Sequence, residues 1–247
     1  MTGPDPTRIQ PGTDSPGTDE TGSDKTGTDK TSTAALSTRL GRLYTGAVHD
    51  VLRALGHDNC VLPVNIRPLD PGLKVAGPAW TFSGRMDRTA SRHDTLLGWT
   101  QVLSKAPSGH VLVCQPNNQE VALMGELSAE TLKNKGVLGY VVDGGCRDSD
   151  FILQQQFPVF HTFFTPSDIA QRWVADRLSE PLTIGSVTIR TGDFILGDRD
   201  GVIVIAREIA QSAIEQTEQV ALTENQVRDA IRAGVDPVEA YLKYGKF

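Results

Sequence analysis

The chain has 247 residues, 38% of them hydrophobic and 6% aromatic, and a formal net charge of −6. That length suits one large domain or two small ones and can bury a sizeable core. The acidic balance argues against a nucleic-acid-binding surface, which would need a basic stripe. No stretch approaches the ~20 apolar residues of a membrane span, and the N-terminus lacks an apolar signal core. Three cysteines, Cys60, Cys114 and Cys146, have no metal-site spacing and leave one over from any disulfide. The expectation is a cytoplasmic protein with reduced thiols.

Residues 1–33 are low in complexity. Glycine followed by Thr or Ser and then Asp recurs every five residues from Gly12 to Gly27, and six acids stand against three bases. So little apolar surface cannot offset the entropy of ordering, so a disordered tail is expected. One folded domain should then cover 34–247. Leu36, Leu40, Leu43, Val48, Val51, Leu52 and Leu55 recur at helical spacing, with Gly56 past the end. His49 and Asp50 on this segment read as surface residues.

Ile66 to Leu69 and Lys74 to Phe82 read as two short strands around Asp70-Pro71-Gly72. A strand lysine can form a Schiff base, but Lys74 directly follows the turn and reads as solvated. A helix is expected over Asp94 to Leu103, and a buried strand over His110 to Cys114. After the loop Gln115 to Asn118, Ala122 to Lys135 reads as a helix with Gly125 and Glu126 in its first turns. The apolar run Leu138 to Val142 then forms the central strand. Strand, loop, helix and strand make a βαβ unit with a parallel pair, and ligands collect at the carboxyl ends of such strands.

Further on, Phe151 to Gln156 reads as a short helix, Pro158 to Phe164 as a strand and Thr183 to Arg190 as an alternating strand. Phe194 to Ile205 reads as a hairpin around Asp200-Gly201. Glu208 to Ala233 forms a long amphipathic helix closed by Gly234, long enough that part of it should pack on a neighbouring subunit. Asp236 to Tyr244 forms a last short helix.

The chemistry concentrates where the central strand stops. Asp143-Gly144-Gly145 ends the strand, and Arg147 and Asp148 follow side by side. Free backbone N–H groups where the helix opens at Gly125-Glu126-Leu127-Ser128 suit a carboxylate. Arg147 adds a two-pronged grip on the same anion or on an enolate oxygen. Asp148 is a hard oxygen ligand for Mg²⁺, which needs only one or two protein carboxylates. His49, His57, His93, His110 and His161 show no ligand spacing and no triad partners, and read as structural or surface groups. Neither a Walker A sequence nor a dinucleotide fingerprint is present.

These segments, Gly125 to Ala129 and Gly136 to Asp148, resemble the signature of the RraA-like proteins and the 4-hydroxy-4-methyl-2-oxoglutarate/4-carboxy-4-hydroxy-2-oxoadipate aldolases. Asp70 to Ala79, Gly192 to Val202 and the closing Tyr244 to Phe247 are similar as well, so the likeness runs over about 36–247. The resemblance implies an α/β fold, a swivelling α-β-β-α sandwich with a mixed sheet and a central βαβ unit, assembled as a homotrimer or hexamer with sites between subunits. It implies divalent-metal-dependent lyase activity, cleaving 4-hydroxy-2-oxo acids to pyruvate, with oxaloacetate decarboxylation as a side activity. By position, Gly125, Glu126, Leu127 and Ser128 hold substrate, Arg147 binds substrate and enolate, and Asp148 binds Mg²⁺ or Mn²⁺. Glu126 is the proton-handling carboxylate, and Glu224 is the candidate contributed by a neighbouring subunit. One departure stands out: the aldolases usually carry Asp twenty-one positions before the arginine, where this chain has Glu126. The family's other branch, regulators that bind ribonuclease E, generally lacks the metal aspartate, so Asp148 points to the enzyme side. The rival readings are a non-catalytic regulator of that type and a lyase or isomerase acting on another oxo acid.

Overall fold

A computed structural model of the chain describes residues 32–246. The tail expected over 1–33 therefore lies outside the described residues, except for Ser32 and Thr33. Ser32 caps the first helix, α1 (Thr33–Leu40), through its hydroxyl. The helical run read from Leu36 to Leu55 is two helices, because the chain turns at Gly41. The second, α2 (Thr45–Ala54), buries Ala47, Val48, Val51 and Leu52 on one face. Asp198, itself buried, anchors its start by accepting from Thr45 N at 2.9 Å and Thr45 Oγ1 at 2.8 Å.

The main sheet is mixed and is built around β2 (Val75–Met86), whose residues are mostly buried. Its strands run β1 (Arg67–Pro68), β7 (Val159–His161), β5 (Gly139–Val142), β3 (Val111–Gln115), β2, β12 (Phe194–Asp198), β13 (Gly201–Ile205). The pairs β2–β3, β3–β5 and β5–β7 are parallel, and the remaining pairs are antiparallel. The sheet curls until its ends approach, where Arg67 Nη1 donates to Asp200 O at 2.7 Å. Helix α4 (Glu126–Asn134) connects β3 to β5, so the expected βαβ unit is present.

Alternation along these strands buries both faces. Leu112, Cys114, Tyr140 and Val142 face a core shared with α3 (Arg92–Lys105), α4 and α5 (Ser149–Gln155). Val111, Val113 and Val141 face the opposite core, shared with the hairpin β10 (Leu182–Ile184) and β11 (Val187–Ile189). A third cluster packs α1, α2 and α6 (Ala210–Arg232) against β12 and β13. Helix α7 (Pro237–Tyr244), capped by the Asp236 side chain, ends the described chain.

Three further expectations need correction, and one strand was missed. The helix read from Ala122 starts at Glu126, and Ala122–Met124 is a strand, β4. These residues are apolar and fully buried, and a short buried apolar run has no period that separates helix from strand. The strand read over Pro158 to Phe164 breaks at Thr162, whose N–H turns to Gly144 O at 3.0 Å. Its second part, β8 (Phe163–Phe164), joins another sheet. The strand read over Thr183 to Arg190 is the β10–β11 hairpin, turned at Gly185 with φ +60°. Strand β9 (Trp173–Leu178), absent from the sequence reading, pairs with the second half of β2.

Candidate functional site

Beyond the carboxyl ends of the parallel strands stands a second, three-stranded parallel sheet, β4, β6 (Gly145–Cys146) and β8. Strands β3, β5 and β7 each lead, after a short break, into one strand of this small sheet, in the same order. The small sheet carries the predicted residues. Leaving β4, the chain reaches Gly125 and enters α4. Leaving β6, it reaches Arg147, whose N–H donates to Met124 O at 2.9 Å. The two segments are thereby locked side by side.

Asp148 has φ +54°, a left-handed conformation uncommon outside glycine. Asp148 thereby becomes the N-cap of α5 while its carboxylate turns back to α4. There Oδ2 accepts the Glu126 N–H at 3.1 Å. Gly125, the N-cap of α4, has no side chain to do this capping. A Cβ at Gly125 would lie 2.6 Å from Asp148 Oδ2 and 3.3 Å from Arg147 Cγ and Nε. Glycine is therefore favoured here by close contact with these side chains rather than by backbone conformation. Ala129 N–H is the first in α4 to bond within the helix, to Gly125 O at 3.0 Å. The N–H groups of Leu127 and Ser128 thus remain as donors at the positive end of the helix.

Arg147 lies between two carboxylates. Its Nε is 3.5 Å from Asp148 Oδ2, and its Nη1 is 3.7 Å from Asp168 Oδ2. These residues line a cleft of about 400 Å³ together with Gly125 to Ser128 and the α3 side chains Leu96, Trp99 and Leu103. Trp99 Nε1 donates to Ser128 Oγ at 2.9 Å, which sets the direction of that hydroxyl. On the other side of Arg147 and Asp148, a second hollow of about 370 Å³ is bounded by Cys146, Ser149, Phe164 and Pro166. Asp148 Oδ1 accepts no hydrogen bond among the described residues. The cleft sets three carboxylates, Glu126, Asp148 and Asp168, against one arginine, and an excess of negative charge favours a cation.

Six of the predicted residues, Gly125, Glu126, Leu127, Ser128, Arg147 and Asp148, thus share one cleft. Glu224 does not reach it within the chain. It lies on α6, forms an ion pair with Lys246 at 2.6 Å, and lines a separate hollow with Tyr44, His49 and Asp50. Lys74 is tied to Leu43 O at 2.9 Å. His161 is buried with Nδ1 3.1 Å from Phe163 O, and burial pushes its pKa down. The three thiols are free and buried, and burial pushes that of Cys146 up to about 12. Sequence reasoning missed Asp168 and Trp99. Asp168 sits just past β8, at the same carboxyl end as Arg147, so the rule that ligands gather there reaches it. No comparable signal marks Trp99.

The model of the RraA-like family, described as Aldolase/RraA, matches residues 45–204. Protein DlpA of Legionella pneumophila is 31% identical over 190 residues, 76% of this chain but only 30% of its own length. A Halalkalibacterium halodurans protein, named "Putative 4-hydroxy-4-methyl-2-oxoglutarate aldolase", is 26% identical over 83% of this chain and 93% of its own. Among solved structures, Streptomyces coelicolor RraAS2, described as an unusual member of the RNase ES inhibitor RraA protein family, superposes with a TM-score of 0.69. It is 28% identical, and the match covers 78% of this chain and 95% of that one. The mixed sheet, its βαβ unit and the match over most of the folded region agree: this chain belongs to the RraA-like family.

Proposed function

We propose that this protein is a divalent-metal-dependent lyase that cleaves a 4-hydroxy-2-oxo acid of the 4-hydroxy-4-methyl-2-oxoglutarate type to pyruvate, and decarboxylates oxaloacetate as a side activity. The observation that carries this reading is the arrangement at α4. The Asp148 carboxylate is held against the Glu126 N–H with one oxygen unengaged, beside Arg147 and two further free N–H donors. The donor set fits Mg²⁺ or Mn²⁺. A single hard carboxylate, supplemented by water and substrate, is how Mg²⁺ is commonly bound. When bound at Asp148, such an ion supplies chelation of the 2-oxo acid and withdraws electron density from its C2 carbonyl.

The chain's own groups do the rest. The Leu127 and Ser128 N–H groups receive the substrate carboxylate, with the helix dipole behind them. Glu126 takes the proton from the C4 hydroxyl. The C3–C4 bond breaks, its electron pair moves into the C2 carbonyl, and Arg147 faces the oxygen that gains charge. Glu126 then returns the proton to C3, giving pyruvate and the carbonyl compound derived from C4. Decarboxylation of oxaloacetate needs the same stabilisation of the enolate but no base at C4. Exposed Leu127 in the cleft and exposed Phe164 in the adjoining hollow support a site covered by a second subunit of a homotrimer or hexamer. In that assembly Glu224 is our candidate for the carboxylate supplied across the interface.

The test is pyruvate release from oxaloacetate and from 4-hydroxy-4-methyl-2-oxoglutarate, with and without Mg²⁺. We expect turnover of both that depends on the metal. Absence of metal-dependent turnover on either substrate overturns the lyase reading. Similarity to RraAS2 favours a second reading, a protein-binding regulator without catalysis. It predicts that binding to a ribonuclease partner is indifferent to Asp148→Ala.

A further inference from the structure

We propose that Asp168 is the positioning residue for Arg147, holding the guanidinium so that its outward edge meets the substrate anion. This rests on the lyase reading of the cleft. Asp168 follows β8 in a loop that is pinned at several points. Thr165 N–H donates to Cys146 O at 3.2 Å, and Ala122 N–H donates to Ser167 O at 2.8 Å. The loop therefore hangs between β6 and β4, the two strands that deliver Arg147 and Gly125. Trp173 N–H bonds to Ile169 O at 3.1 Å and closes the loop on its far side. The Ser167 hydroxyl accepts from the Arg172 guanidinium.

Within this frame the Asp168 carboxylate has its two oxygens divided. Oδ1 accepts the Ala170 N–H at 3.2 Å, which fixes the plane of the group. Oδ2 is left facing Arg147 Nη1 at 3.7 Å, too long for a direct hydrogen bond but within ion-pair range. Asp148 Oδ2 holds the opposite edge of the guanidinium at Nε, 3.5 Å away. The flexible arginine side chain thus lies at ion-pair distance from two carboxylates, one from the next residue in the chain and one from a different loop. Both carboxylates are about a third exposed and border the cleft. Their cost is a weaker pull on the substrate anion, because two negative groups offset one positive one. Their gain is orientation, which matters more for the chemical step than for binding.

This division predicts a specific kinetic signature. Asp168→Asn keeps the shape and the Ala170 bond but removes the charge that faces Arg147. The guanidinium then loses its second anchor while its attraction for an anion rises. With oxaloacetate and saturating Mg²⁺, kcat should fall ~10-fold or more while KM stays the same or falls. In an Arg147→Lys background the same substitution should change kcat less than ~2-fold, since the geometry it protects is gone. The melting temperature and the Mg²⁺ concentration for half activation should match those of the parent protein.

Each contrary result is informative. Wild-type kcat in Asp168→Asn overturns the role, as does the full loss persisting in Arg147→Lys. A raised Mg²⁺ requirement would make Asp168 a metal ligand instead and equally overturn it. A lowered melting temperature with kcat and KM shifted together would mark a structural residue. If the wild-type protein itself releases no pyruvate from oxaloacetate, the lyase reading fails and this role fails with it. Turnover by wild type that Asp168→Asn leaves intact removes the positioning role alone.

Discussion

Gly125→Ala offers a sharp test of how the site is built. The added Cβ lies 2.6 Å from Asp148 Oδ2 and 3.3 Å from Arg147 Cγ and Nε. Ordinary contact begins near 3.4 Å, so the carboxylate must withdraw by about 0.8 Å. Its bond from Glu126 N, 3.1 Å in the native arrangement, is then stretched beyond useful length. Loss of that cap costs about 1 kcal/mol, which lowers the melting temperature by about 2–4 °C for a domain of this size. The effect on catalysis should be larger, because the same movement displaces both the metal ligand and the arginine. A displacement of about 1 Å costs ~10²-fold in rate. The assay is Mg²⁺-dependent oxaloacetate decarboxylation alongside a thermal melt. A variant within twofold of wild-type activity and with an unchanged melting temperature refutes the claim that Asp148 is held against α4 by close contact.

Three further predictions follow from the same arrangement. Glu126→Gln removes a base from aldol cleavage but not from decarboxylation, so release of pyruvate from 4-hydroxy-4-methyl-2-oxoglutarate should fall ~10²-fold or more while oxaloacetate turnover falls much less. Equal losses on both substrates would remove Glu126 from the proton-transfer role. Burial holds the His161 pKa below its ordinary value of 6.5. The unfolded chain therefore takes up this proton first, and stability should be lost as pH falls from about 6.5 towards the folded-state value. Denaturant melts between pH 7.5 and 5.5 on wild type and His161→Gln would show it, the variant losing less over this interval. Cys114 and Cys146 are buried with thiol pKa values pushed up by desolvation, so neither should react with iodoacetamide at neutral pH until the protein unfolds. Mass spectrometry of the native protein after labelling checks this, and rapid modification of either would contradict their burial.

Much of the central architecture could be read from period and punctuation. The run Leu138 to Val142 ends at Gly144-Gly145, and the rule that ligands gather at strand carboxyl ends already joins Arg147 and Asp148 to Gly125 and Ser128. What could not be read was the small sheet. Ala122 to Met124 are apolar and buried whether helical or extended, and only their pairing with Gly145 and Cys146 decides between the two. Phe163 and Phe164 were read as strand and are strand, but they leave the main sheet because Thr162 turns the backbone. Asp148 was read as a metal ligand from its residue type, its place after the central strand and the family resemblance. That it also caps α4 depends on a left-handed backbone angle that no local pattern announces. Asp168 escaped for a related reason, since its partner lies across two segments and a dipeptide such as Arg147-Asp148 draws the eye to itself.

The central claim is that Asp148 is where a divalent ion makes this cleft a lyase site. It is tested most directly by the Mg²⁺ activation curve for pyruvate release from oxaloacetate, measured on wild type and on Asp148→Ala under identical conditions. The arrangement of Asp148, Arg147 and α4 predicts a saturable rise in rate for wild type and, for Asp148→Ala, a rate that stays near the uncatalysed background at every Mg²⁺ concentration. Equal activation curves for the two proteins, or wild-type turnover that survives a chelator, would contradict it.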